Sequence, residues 1–345
     1  MQILSTSDGD IERAAAALAA GGLVAFPTET VYGLGGDAFN LSALARIFEA
    51  KNRPRFDPLI IHIAELEALS RLVDTASLNG AARERLAILS AQLWPGPLTL
   101  ILPKRPELPD LATAGLATAA IRFPSHRTAQ KLIRLSTGAV AAPSANPFGY
   151  LSPTRAEHVK DSLGERVDFI IDGGRTEVGV ESTVLDISRD PPRLLRPGGT
   201  SREAIEVLIG AVEFSPGAEP AETPLSPGQL KSHYAPRTPL ILCKQGELAS
   251  LPSAPGEGRL FFSVPKNISN TASGRTRVLS ETGNLAEAAA NLFDMLHQLD
   301  SLGLTLIRAE EAPAAGLGAA INDRLRRAEN DNPFVKEILR TGIEI

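Results

Sequence analysis

Two short stretches hold the residues best suited to chemistry: Lys51-Asn52-Arg53-Pro54 and Ala142-Pro143-Ser144-Ala145-Asn146-Pro147. Arg53, Ala142 and Asn146 each precede a proline, which steers them away from the helical region. In an extended chain, residues i and i+2 point to the same side. The spacing therefore predicts a solvated cationic pair, Lys51 and Arg53, on one face, and a neutral hydrogen-bonding pair, Ser144 and Asn146, on another. Cations and neutral donors, with no nucleophile beside a base, suit the grip of a polyphosphate. Lys and Arg two apart also occur on solvated edge strands, and Ser and Asn between prolines also make simple turns.

A third segment, PTETVYGLGG at 27–36, follows an apolar run, Leu23 to Phe26, and precedes a helical pattern at 41–50. Strand, glycine-rich loop and helix in that order present backbone N–H groups to an anion; glycines serving only a tight turn are the alternative. Gly33 to Ala38 fits a loose G-x-G-x-x-A pattern, but six residues separate the strand from the first glycine. The dinucleotide fingerprint needs a tight turn directly after the strand. No Gly-Lys-Ser/Thr occurs, which excludes a Walker-type phosphate loop.

The elements that must position these residues follow an α/β rhythm. Asp8 or Asp10 caps an Ala-rich helix ending near Gly21-Gly22. Apolar strands are predicted at 23–26, 58–63, 98–102, 118–123, 138–142, 167–171 and 183–187, with helices at 41–50, 81–93, 126–136 and 201–209. The rhythm stops near 211. Residues 215–229 carry Pro216, Pro220, Pro224 and Pro227 without apolar periodicity, the composition of a semi-rigid linker. A smaller pattern follows, with strands near 239–243, 259–264 and 304–307 and a long helix at 285–300. This divides the chain into a larger domain at 1–210, a linker at 211–238 and an accessory α/β domain at 239–345.

Composition narrows the function classes. Hydrophobic residues at 43% and charged residues at 22% are those of a globular chain. The single cysteine, Cys243, excludes an internal disulfide framework and a cysteine zinc site, and the five histidines lack HExxH spacing. A net charge of −5 argues against a general nucleic-acid coat. The polar, acidic N-terminus and the lack of an apolar run of about 18 residues predict a cytoplasmic protein without a membrane span.

Taken together the segments resemble the YrdC-like family of threonylcarbamoyl-adenylate synthases, in its long two-domain form. The matching pieces, in order, are PTETVYGLG at 27–35, KNRP at 51–54, PLIIHI at 58–63, WPGPLTLIL at 94–102, TAGL at 113–116 and IRFP at 121–124. APSANP at 142–147, SPT at 152–154, GVESTVLD at 179–186, LLRPG at 194–198, KSHYAP at 231–236 and AINDRLRRA at 320–328 complete the series. The resemblance implies a twisted mixed sheet with flanking helices in the first domain and a Rossmann-like second domain. It also implies synthesis of threonylcarbamoyl-AMP from L-threonine, bicarbonate or carbon dioxide, and ATP carried with Mg²⁺, with pyrophosphate released. The product then passes to a downstream tRNA threonylcarbamoyl transferase, and double-stranded RNA contact belongs to the same expectation. A non-catalytic RNA-binding module of this fold is the alternative.

By resemblance Lys51 and Arg53 are catalytic, and they hold ATP together with Thr113, Ser144, Asn146, Ser152, Arg196, His233 and Tyr234. Thr28, His62, Arg122 and Ser182 line the threonine pocket, with Arg122 the partner of the substrate carboxylate. No protein metal ligands are implied. Arg55 departs from the small or polar residue expected beside the phosphate cluster. Lys231, His233 and Tyr234, just after the linker, read either as a lid over the nucleotide or as packing at a domain junction.

Overall fold

A computed structural model describes residues 1–214, 234–265 and 274–329. Its chain divides into two compact units. The first comprises Met1–Phe148, Pro153–Glu177 and Glu181–Leu230; the second comprises Gly149–Ser152, Val178–Val180 and Lys231–Ile345. Residues 215–229, Lys231 and His233 lie outside the described residues.

Among the described residues, the first unit carries one ten-stranded sheet. Its strands are β1 (Gln2–Leu4), β2 (Val24–Phe26), β3 (Gly33–Asp37), β4 (Ile60–Ile63) and β5 (Leu98–Pro103). They continue with β6 (Thr118–Arg122), β7 (Ala139–Ala141), β8 (Phe169–Ile171), β9 (Thr183–Asp186) and β10 (Arg193–Arg196). The spatial order is β1-β8-β2-β3-β7-β4-β6-β5-β9-β10. The sheet is mixed: β4 runs parallel to β6, whereas β5 and β6 are antiparallel. Both faces are covered, so neighbouring residues of one strand enter different cores. Leu23 and Ala25 join Leu34, Ile61, Leu100 and Ile121 on one side. Val24 and Phe26 join Leu18, Ala129, Leu132 and Ile133 on the other. The latter two groups come from the helices Asp8–Ala19 and Arg127–Leu135, whose apolar residues recur at helical spacing.

The first helix is capped by Ser7, whose side chain accepts from the Asp10 N–H, rather than by Asp8 or Asp10, which instead supply charge to its first turn. A larger departure concerns the glycine-rich segment. Gly33–Asp37 is a buried strand, antiparallel to β2 and β7, not a loop aimed at an anion. A Cβ on Gly35 would stand 2.8 Å from the Phe26 ring and 2.9 Å from a Val140 methyl, and one on Gly36 3.0 Å from Ile47. The glycines let ring and helix approach the sheet closely.

The second unit has a wholly parallel four-stranded sheet: β11 (Leu240–Cys243), β12 (Glu257–Ser263), β13 (Thr276–Ser280) and β14 (Leu306–Glu310), in the order β11-β14-β12-β13. The helix Leu285–Asp300 begins at Asn284, whose side-chain oxygen accepts from the Ala286 and Glu287 N–H groups. It buries Leu292, Phe293, Leu296 and Leu299 along one stripe. No helix among the described residues is long and apolar enough to cross a membrane.

Candidate active site

Lys51 is the last residue of the helix Leu41–Lys51, and Asn52 ends that helix in the left-handed conformation, with φ of 51°. The pre-proline restriction therefore reaches Arg53 but not Lys51, and the extended-chain argument does not hold for the pair. Nor is the pair solvated: Lys51 is 1% and Arg53 6% exposed. Lys51 Nζ donates to the carbonyl oxygens of Ser144, at 2.6 Å, and Asn146. The Asn146 N–H also donates to the Ser144 oxygen at 3.0 Å, which makes the second stretch a tight three-residue turn rather than an extended run. The two stretches thus meet, through the carbonyls of one and the ammonium of the other.

Arg53 is anchored along the Nε–Nη2 edge of its guanidinium. Nε donates to the Asp57 carbonyl at 3.2 Å, Nη2 to the Pro58 carbonyl at 2.8 Å, and Nη2 pairs with Asp57 Oδ2 at 2.8 Å. Asp57 was not foreseen, although an aspartate four residues after Arg53 and just before Pro58 was its local signal. Burial pushes the Lys51 pKa well below its ordinary value, with Arg53 adding to the effect. Burial raises Asp57, opposed by Arg53, Lys51 and Arg196. Those three cations leave the neighbourhood net positive, which favours a polyanion.

A second group lies across the sheet. Register places Arg122 of β6 beside His62 of β4 and Thr99 of β5, so the three share one face. Thr99 Oγ1 lies 2.7 Å from Ser182 Oγ. Arg196 donates through Nε and Nη2 to the Ser182 carbonyl, at 3.1 and 2.9 Å. Ser182 therefore touches the Arg122 row through its hydroxyl and the cationic neighbourhood through its backbone. His62 Nδ1 lies 3.2 Å from the Ile60 carbonyl and its ring stands edge-on to Phe26. Burial first, then Arg122, lowers the His62 pKa to about 3, so the ring is neutral at physiological pH. Thr28 Oγ1 donates to the Val31 carbonyl at 2.6 Å and accepts from the Thr30 and Val31 N–H groups, which fixes the turn after β2. Arg122 has the partner its burial requires: Nη2 lies 2.7 Å from Glu29 Oε1, with both side chains buried. Glu29 too was missed, because nothing local in PTETVYGLG points to a partner on β6.

Thr113 closes the short helix Asp110–Thr113 and donates to the Leu116 carbonyl at 3.1 Å. Arg55 is exposed on the loop after Pro54. Ser152 and Tyr234 belong to the second unit. Tyr234 is buried there with φ of 68°, costly for a tyrosine. Its ring packs 5.8 Å from that of Phe293, and the Arg324 guanidinium stands 5.0 Å from its centroid. Among the described residues no group of three or more His, Cys, Asp or Glu could hold a metal ion.

Comparison with known proteins agrees with this architecture. A family model described as "Telomere recombination" matches residues 16–198, and one described as "Threonylcarbamoyl-AMP synthase, C-terminal domain" matches residues 200–329. A Bacillus subtilis protein named threonylcarbamoyl-AMP synthase is 43% identical, over 94% of each chain. One of the same name from Pyrococcus abyssi is 42% identical, over 92% of this chain and 93% of that one. The crystal structure of P. abyssi Sua5 complexed with L-threonine superimposes with a TM-score of 0.85 at 38% identity, covering 95% of this chain and 98% of the other. The chain belongs to the YrdC-like threonylcarbamoyl-AMP synthase family, in its two-domain form.

Proposed function

We propose that this chain is the nucleotidyltransferase that makes L-threonylcarbamoyl-AMP from L-threonine, bicarbonate or carbon dioxide, and ATP, releasing pyrophosphate. The observation that carries the reading is the meeting at Ser182 of a buried cationic neighbourhood and a polar row around Arg122, in a family whose relatives bear that name.

The chemistry is attack by a carbamate oxygen on the α-phosphorus of ATP, a step that needs alignment and charge neutralisation more than a protein nucleophile. Lys51, Arg53 and Arg196 supply positive charge, and the anchoring of Arg53 on the Asp57 carboxylate and the Asp57 and Pro58 carbonyls fixes where that charge sits. Lys51, costly to keep charged in its buried setting, gains a counter-ion when phosphate arrives. Ser144, Asn146 and Thr113 complete the first unit's nucleotide contacts in this reading. Arg122 takes the amino-acid carboxylate, and Thr28, His62 and Ser182 shape the rest of its pocket. Mg²⁺ accompanies ATP as the counter-ion of its phosphates. The same reading sets the enzyme in the cytoplasm, ahead of a transferase acting on tRNA.

Incubation with ¹³C-bicarbonate, threonine and ATP tests this by mass spectrometry. A product containing threonine, AMP and the labelled carbon is expected. AMP formation without a labelled adduct in the earliest samples would reject it.

A further inference from the structure

The Glu29–Arg122 pair differs from the first unit's other deep ion pair, Asp57–Arg53, whose guanidinium is tied to the Asp57 and Pro58 carbonyls. Glu29 lies 4% exposed in the turn after β2, between Thr28 and Thr30, whose hydroxyls are 2.8 Å apart. Its Oε1 is 2.7 Å from Arg122 Nη2. Yet among the described residues neither Glu29 oxygen, nor Arg122 Nε or Nη2, has a hydrogen bond of good geometry. Buried charges are normally tied by directed hydrogen bonds, and a buried ion pair is often less stable than the apolar pair that could replace it. Folding stability is therefore a poor explanation for placing these two charges here.

An α-amino acid carries the complementary charges, a carboxylate and an ammonium joined through one carbon. Entering beside the pair, its carboxylate meets Arg122 and its ammonium meets Glu29, each through charge-assisted hydrogen bonds that the protein alone does not form. We propose, building on the reading above that this unit binds an amino acid, that Glu29 receives the α-amino nitrogen of the substrate, and that the Arg122–Glu29 pair is the closed resting form of the pocket. The titratable neighbours fit this role. His62 sits beside Arg122 in register, and burial lowers the pKa of both His62 and His126, at His126 against the pull of Glu29 and Glu177, so at neutral pH neither brings a cation to compete with the ammonium. The position makes Glu29 a determinant of specificity: it selects amino acids over hydroxy acids and simple carboxylates.

The test is calorimetric titration of the full chain with threonine and with 3-hydroxybutanoate, which is threonine without its amino group. The wild-type chain is expected to prefer threonine by at least tenfold. Glu29→Gln should weaken threonine binding tenfold or more and leave 3-hydroxybutanoate unchanged or tighter, so that the preference disappears. Equal losses for both ligands, or threonine affinity kept in the variant, overturn the proposal. If Glu29→Gln does not fold, Glu29→Asp carries the same comparison: the shorter carboxylate should weaken threonine alone, and equal weakening of both ligands overturns the proposal. A wild-type chain that binds neither ligand would sink the functional reading itself, whereas binding without preference sinks only the role of Glu29.

Discussion

Arg53 Nη2 stands 2.8 Å from Asp57 Oδ2, with side-chain exposures of 2% and 0%. A pair this deep does not behave as a surface contact, and removing one partner leaves the other charge stranded. Arg53→Ala should therefore lose about 3–5 kcal/mol of stability as well as adenylate formation. Arg53→Ala combined with Asp57→Ala should recover part of the stability and none of the activity. Chemical denaturation and turnover, measured on the same three variants, check this. Full recovery of turnover in the double variant would remove Arg53 from the phosphate site.

Lys51→Met separates charge from packing more cleanly, because it keeps the volume while removing a buried ammonium. Adenylate formation should fall by about a hundredfold or more, with the melting temperature held or raised. Near-normal turnover would show that the Lys51 charge is not used.

Some of this was open to sequence reasoning and some was not, for identifiable reasons. The helix Leu285–Asp300 was read to the residue, because Leu292, Phe293, Leu296 and Leu299 repeat at helical spacing and Asn284 precedes them. β3 was not, since Gly33, Gly35 and Gly36 carry no strand pattern, and only β2, β7 and the helix above them make a strand of it. The helix Leu317–Glu329 was missed because charged residues interrupt its apolar face. In the candidate site, the residue types at 51, 53, 122, 182 and 196 stood out in the sequence, and their geometry did not. Lys51 was read backward from Pro54 as extended, whereas Asn52 marks a helix end. Glu29 and Asp57 escaped because a carboxylate's partner is set by tertiary contact, and their settings on a turn and before a proline are ordinary.

Arg122→Leu should raise the KM for threonine by about tenfold or more, as expected for loss of a charge-assisted contact, and leave that for ATP within about threefold. Steady-state kinetics with each substrate varied in turn decide the point. Equal rises for both would take Arg122 out of the amino-acid pocket.

His62 makes stability depend on pH in a known direction. Its folded pKa of about 3 lies below the unfolded value of 6.5, so between these limits the unfolded chain binds more protons. Stability from this group is whole above pH 6.5 and falls as pH drops toward 3, by up to about 1.4 kcal/mol per pH unit. His62→Gln should flatten that part of the profile. Denaturation of both proteins at pH 4.5, 5.5 and 7.5 measures the difference, and parallel profiles would contradict it.

Gly198 lets the chain after Arg196 pass against the segment that carries Ser182. A Cβ there would stand 2.4 Å from the Glu181 oxygen, the Ser182 carbonyl carbon and the Thr183 nitrogen. Gly198→Ala should cost about 1–3 kcal/mol through overpacking and raise the KM for both threonine and ATP, because Ser182 serves both groups. Melting curves with kinetics test this; a destabilised variant with unchanged KM values would separate Ser182 from the site.

Pyrophosphate release with single omissions is the decisive measurement. With ATP, threonine and bicarbonate all present, release should be sustained, and withholding threonine or bicarbonate alone should reduce it to the ATP-only background. Release that continues at the full rate without threonine or without bicarbonate would contradict a synthase built around the Arg122 row and the Lys51–Arg53–Arg196 neighbourhood.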